Sequence, residues 1–387
     1  MKLCTKCVIP ETAESLSFDE SGSCSVCKQI EYKMEEIDWD KRKLELQDLI
    51  NQYKGKYDYD CIVPFSGGKD STFTLYYLVK ELGLKCLVVR FDHLFMRDVV
   101  EDNCNKTFKK LGVDVIKFSP NWNVVKKLMF ESLVRRGDFC WHCHTGIFAY
   151  PMHVSLMTKV PLIFWGEPGA EYSSFYSYDE LEESDERRFN LKINLGINAE
   201  DMVGMLDNSV SDYRVTERDL KPFTYPDREM LMENNTKSVF LGYYIPWNPK
   251  KQSKLISKNL GWSGDKVEGI PPEYNYEKIE CYMQGLRDYI KFLKRGFGRT
   301  SHLTSIDIRN GEMDRKKALE LVKEYDGKRP KALDFFLKIM DISELEFYNI
   351  IAKHVVAPHS MPDPSSIEKN NNIPDDFDKF EEKYLFD

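Results

Sequence analysis

Ser66-Gly67-Gly68-Lys69-Asp70-Ser71 lies between a short apolar run, residues 61–65, and a helical pattern from Ser71 to Leu82. These residue types in this order suit an anion. Two adjacent glycines let backbone N–H groups approach a phosphate, and the following helix presents the positive end of its dipole. Ser66 and Ser71 add hydroxyls, Lys69 adds a charge, and Asp70 adds a carboxylate able to hold Mg²⁺. The G-x-x-x-x-G-K-[ST] spacing of a Walker loop is absent. The bland alternative is a strand-to-helix turn with ordinary capping.

A second kind of chemistry is carried by the ten cysteines, at 4, 7, 24, 27, 61, 86, 104, 140, 143 and 281. Cys4-x2-Cys7 and Cys24-x2-Cys27, with sixteen residues between the pairs, have the spacing of a four-thiolate structural zinc site. A module this small has little core without a metal. Four unligated surface thiols are the competing reading. Cys140-Trp141-His142-Cys143-His144 leaves three readings open: a second metal with Cys281 as third ligand, a redox-active pair, or two thiols in a structural turn. Cys61, Cys86 and Cys104 read as small buried hydrophobes.

The elements that must position these groups are set by the apolar pattern. Residues 1–37 form a cysteine-bearing module, and a helical pattern over 38–56 links it to the main domain. Apolar runs at 61–65, 86–89, 113–118, 162–165 and 239–244 alternate with helical patterns such as 71–82 and 99–111. Strands that are apolar throughout imply a parallel sheet covered on both faces, so a doubly wound α/β domain is expected over 57–260. Asp92, just past the second strand, is then a candidate at the sheet's ligand-binding edge or a surface turn residue. Residues 171–237, rich in Tyr, Ser, Asp and Glu, are an expected insertion. A helical region over 261–356 and an extended tail over 357–387 complete the chain.

The 387 residues suffice for roughly two to three domains at ~150 residues each. With 55 Lys and Arg against 63 Asp and Glu the net charge is −8, so no overall cationic field draws the chain to nucleic acid or anionic membrane. The start lacks an apolar run of signal-peptide length, and no stretch approaches a membrane span. A cytoplasmic location is expected.

Ser66–Ser71 resembles the S-G-G-x-D-S loop of the ATP pyrophosphatases, the PP-loop superfamily, which release pyrophosphate while adenylating a carbonyl-type oxygen. Further segments resemble the N-acetyl sugar amidotransferases of surface polysaccharide and of pseudaminic or legionaminic acid biosynthesis. These are Cys4–Cys7, Pro64–Ser71, Phe139–His144, Trp165–Glu167, Gly242–Trp247, Gly296–Arg299, Ser305–Arg309 and Tyr325–Gly327.

The resemblance implies a Rossmann-like PP-loop fold and conversion of an acetamido to an acetamidino group. ATP, Mg²⁺ and Zn²⁺ would be the cofactors. Lys69 and Asp70 are the expected catalytic pair, with Ser66, Gly67, Gly68, Ser71 and Asp92 completing the nucleotide site. Glu167 and Glu171 could orient ammonia or take its proton. Arg299, Arg309 and Arg315 could grip a sugar carboxylate or a phosphate, and Tyr172 could stack on a sugar; a solvated face is the plain alternative. The resemblance also raises an iron–sulfur cluster, as in tRNA-thiolating relatives, for Cys140, Cys143 and Cys281.

Lys2 stands where an N-terminal nucleophile would need Cys, and no G-x-C-x-G elbow occurs, so an internal glutaminase is not expected. The family instead implies separate glutaminase and ammonia-channelling barrel subunits, with no nucleic-acid or membrane partner. The competing readings are tRNA thiolation and a non-catalytic zinc-bearing scaffold.

Overall fold

The computed structural model describes residues 1–173, 176–206 and 213–386. Ser174, Phe175 and 207–212, part of the expected insertion, lie outside the described residues.

Five parallel strands form one sheet: β1 (Cys61–Pro64), β2 (Cys86–Phe91), β3 (Asp114–Phe118), β4 (Leu162–Trp165) and β5 (Lys237–Phe240). Their order is β3-β2-β1-β4-β5. Alternate residues serve opposite faces. Cys61, Val63, Val88, Leu162, Phe164 and Val239 share a core with Leu46, Leu75, Val100 and Ile256, while Ile62, Leu87, Val89, Ile163 and Phe240 pack against Met152 and Val154. Both faces of the inner strands are therefore covered by helices, as their apolar runs require, whereas the edge strand β3, with Asp114 and Lys117, is largely exposed.

The helices that matter for the site are α1 (Ser25–Glu35), α2 (Trp39–Asn51), α3 (Lys69–Tyr76), α4 (Asp98–Leu111), α5 (Trp122–Arg136) and α6 (Trp141–Thr158). α2 starts where Asp38 accepts hydrogen bonds from the backbone N–H groups of Asp40 and Lys41. α4 ends at Gly112, whose φ of +65° is the left-handed conformation that glycine adopts without strain. Cys61, Cys86 and Cys104 are buried as expected.

Two expectations are corrected. The run 239–244 is not one strand: β5 ends at Phe240, and Leu241–Tyr244 form a helical turn. Gly242 donates to the Gly166 carbonyl at 3.1 Å, and a side chain there would strike Pro168, so the chain must bend back over the β4 end. The terminal segment is not extended throughout, because Phe377–Phe386 is a helix. Its Phe377 and Phe380 are buried in the same core as Phe335 and Tyr282, and that apolar contact outweighs the turn-forming residues before it.

Candidate active site

The loop 66–71 sits at the carboxyl end of β1, beside β4. The strand order reverses between β1 and β4, and in open α/β sheets that crevice is where ligands bind. Gly67 has φ +87°, and a side chain there would meet Val100 and Cys104 of α4. Ser71 Oγ accepts from the backbone N–H groups of Ser66 (3.3 Å) and Gly67 (3.2 Å), and Ser66 Oγ accepts from that of Gly68 (3.2 Å). The two serines thus shape the loop as well as line it.

Lys69, at the first turn of α3, is only 3 % exposed and forms ion pairs with Asp70 at 2.7 Å and Glu277 at 2.6 Å. Burial alone would lower its pKa, but the charges of Asp70, Glu277 and Glu167 outweigh burial and hold it well above the ordinary lysine value. Asp70 shows the same contest in mirror image: burial favours its neutral form, and Lys69 and Lys278 prevail, keeping it low. Its Oδ1 is buried and has no partner within the protein, which suits a ligand for a hard cation such as Mg²⁺.

Glu167 follows β4 through Gly166. A side chain on Gly166 would press on Thr74 and the Asp70 carbonyl, so the glycine lets the β4 end close onto α3. Burial and the negative charge of Asp70 push the Glu167 carboxyl up to about 7, against the pull of Lys278 and Lys69. A carboxyl poised near neutrality beside an ionised one is an acid–base pair of the kind that proton transfer needs.

The other expected residues divide. Tyr172 stacks on His302 at 5.2 Å between ring centroids. Burial drives its hydroxyl well above the ordinary range, helped by Glu167 and Asp70. Glu171 is buried and engaged by Lys33 of α1 and by the Tyr178 hydroxyl. Asp92 sits past β2, where Lys117 (3.0 Å), Ser119 (3.0 Å) and the Leu94 N–H (2.8 Å) all occupy its carboxylate. Arg309 reaches Cys7 Sγ at 3.9 Å and the Glu171 carbonyl at 3.3 Å. Arg315 donates to the carbonyls of Cys7 (3.1 Å) and Cys4 (3.2 Å). Both arginines therefore grip the cysteine module.

Arg299, paired with Asp288 at 3.1 Å, lines a cavity of about 940 Å³. Its wall also holds Arg136, His144, Arg287, Lys291 and Lys294. Burial and the neighbouring Arg299 lower the Lys291 amine to about 8. Lys278 pairs with Glu167 at 4.0 Å, and its charge also acts on Asp70, His144 and His302.

Cys4, Cys7, Cys24 and Cys27 are buried, with their sulfurs within 4.8 Å of one another. The separations Cys4–Cys27 (3.9 Å) and Cys7–Cys24 (3.8 Å) match the edge of about 3.8 Å expected for a tetrahedron with ~2.3 Å metal–sulfur bonds. The Cys7 and Cys24 N–H groups donate to Cys4 Sγ, which favours its thiolate. The residues fit zinc. Among the described residues Cys140, Cys143 and Cys281 do not form a group whose ligand atoms all lie within 4.8 Å of one another, although the charge of Cys143 acts on both other thiols. Cys140 precedes α6 and Cys143 lies within its first turn, and burial raises both thiols.

Sequence reasoning missed Glu277, Lys278 and Glu280. Glu280 Oε1 accepts from Ser66 Oγ at 3.2 Å, and a side chain on Gly68 would stand 1.8 Å from that oxygen. The segment is held by an antiparallel bridge from Cys281 to Met96 and by the Tyr282 N–H on the Phe95 carbonyl at 3.1 Å. Three charged residues in four flanking Ile279 were the one signal in the sequence, and nothing in it pointed at the loop.

Residues 273–379 match a family model described as "LPS biosynthesis protein WbpG-like, C-terminal domain". Glu277, Lys278 and Glu280 fall within it. The chain is also 26% identical over 167 residues to the uncharacterized protein MJ1599 of Methanocaldococcus jannaschii, covering 42% of this chain and 58% of that protein. The likeness to a lipopolysaccharide-biosynthesis protein is thus confined to the C-terminal region, while the sheet that carries the loop lies outside it.

Proposed function

We propose that this chain is the synthetase subunit of an ATP-dependent N-acetyl sugar amidotransferase, of the PP-loop type, acting in surface polysaccharide or nonulosonic acid biosynthesis. The observation that carries the reading is the Ser66–Ser71 loop at the β1/β4 crevice, with Lys69, Asp70 and Glu167 meeting there. The WbpG-like match supplies the pathway class.

An amide carbonyl is a weak electrophile whose oxygen is a poor leaving group. Adenylation solves this: the amide oxygen attacks the α-phosphorus of ATP, the bond to pyrophosphate breaks, and ammonia then displaces AMP from the carbon. Ser66, Gly67, Gly68 and Ser71 cradle the phosphates, and Lys69 sets a fixed positive charge beside them. Asp70 would hold Mg²⁺, whose charge offsets that of departing pyrophosphate. Glu167, with a pKa of about 7, takes the proton released as ammonia adds.

Tyr172 and the cationic cavity around Arg299 are assigned to the sugar. Glu171 and Arg309 hold the cysteine module against the Tyr172 segment, and Arg315 ties it to the helix Arg315–Tyr325. Ammonia is supplied by separate glutaminase and barrel subunits.

The test is incubation with ATP, Mg²⁺, ammonium and a panel of N-acetylated sugars, read by mass spectrometry. AMP, pyrophosphate and a sugar in which NH replaces one oxygen are expected; ADP, or an unchanged sugar throughout the panel, contradicts the proposal.

A further inference from the structure

Resting on the ATP reading of the loop, we propose that Glu280 makes nucleotide binding there conditional on a divalent cation. The Ser66 hydroxyl of the phosphate loop donates to Glu280 Oε1 at 3.2 Å, and the same carboxylate lies directly over Gly68, where a side chain would have to push it aside. A carboxylate therefore stands against the surface on which phosphate oxygens would settle.

This contact is built rather than casual. Ile279, next to Glu280, is fully buried in the sheet's core. The Arg97 N–H donates to the Glu280 carbonyl at 3.4 Å, and Cys281 bridges Met96. Three residues earlier, Glu277 takes the Lys69 ammonium at 2.6 Å, so the cation that would offset a phosphate already has carboxylate partners. The segment thus brings two carboxylates, one to the loop's hydroxyl and one to its lysine.

A bare triphosphate entering here meets Glu280 as a like charge at close range, where repulsion is strong. With a divalent ion on the phosphates the sign reverses: the same carboxylate becomes an attractive neighbour of the cation, alongside the unpartnered Asp70 Oδ1. Glu280 therefore favours the metal complex and disfavours the free nucleotide.

The experiment measures ATP affinity of the full chain by titration calorimetry, once with Mg²⁺ and once with chelator, for wild type, Glu280→Gln and Glu280→Ala, with thermal melts on each. Wild type is expected to bind much more tightly with Mg²⁺. Glu280→Gln is expected to narrow that ratio by about tenfold or more, largely by improving binding without metal. Glu280→Ala should narrow it likewise, and either folded variant suffices. An unchanged ratio in a folded variant overturns the role given to Glu280. Failure of wild type to bind ATP under either condition overturns the ATP reading itself, and the inference with it.

Discussion

Replacing Lys69 by Met keeps the side chain's length and apolar stem but removes its charge. In the native chain that ammonium lies 2.7 Å from Asp70 and 2.6 Å from Glu277 in a buried setting. The variant leaves both carboxylates without their shared cation, a change that typically costs about 3–5 kcal/mol. The lost packing adds little, since the volumes are close.

The pH dependence is fixed by the signs of the shifts. Wild-type Lys69 is raised, so its contribution is fully present below the unfolded value of ~10.4, and Asp70 is lowered, so its contribution is present above the unfolded value of ~3.9. Both therefore act across the neutral range. In Lys69→Met, burial of Asp70 is opposed mainly by Lys278, and its folded pKa rises; the carboxyl can then protonate, and the deficit shrinks as pH falls. Urea unfolding at pH 7.5 should show a loss of about 3 kcal/mol or more, and a smaller loss at pH 5. A variant within about 0.5 kcal/mol of wild type at pH 7.5, or a deficit that does not respond to pH, would refute the reasoning.

Four further outcomes are expected. Glu167→Gln should flatten the pH dependence of stability: the raised carboxyl of wild type binds its proton in the folded state, so stability declines as pH rises from ~4.3 to about 7, and melts across that window would show it. Elemental analysis should find one zinc per chain, and Cys24→Ser should lose it while the sheet domain stays folded. Zinc removal should also raise hydrogen exchange around Glu171 and Tyr172, because Lys33 and Arg309 tie that segment to the module; exchange confined to residues 1–37 would contradict this. Ammonium should serve as nitrogen source for the isolated chain and glutamine should not, with efficient glutamine use pointing instead to an unrecognised thiol nucleophile.

The strands and the loop were legible because their signals are local. Cys61–Pro64, residues 86–89 and Leu162–Trp165 are apolar without interruption, and two glycines between a strand and a helix have few other uses. The cysteine pairs were equally local, since spacing within each pair sets the sulfur geometry. Glu280 was not legible: it lies 214 positions from Ser66, and its approach depends on Ile279 entering the core. Arg309 and Arg315 misled for a related reason, since a guanidinium that binds a backbone carbonyl has the same sequence signature as one that binds a phosphate. The terminal helix did carry a signal, Phe377, Phe380 and Tyr384 at helical spacing, which the Pro- and Asn-rich stretch before it obscured.

The central claim is that ATP activates the sugar's amide oxygen as an AMP ester. Its most direct test places isotopically heavy oxygen in the acetamido carbonyl of a sugar that the enzyme converts, and follows that atom by mass spectrometry. The label is expected to leave in AMP, with pyrophosphate unlabelled. Label appearing in inorganic phosphate together with ADP, or converted sugar with none of its label in AMP, would contradict the claim.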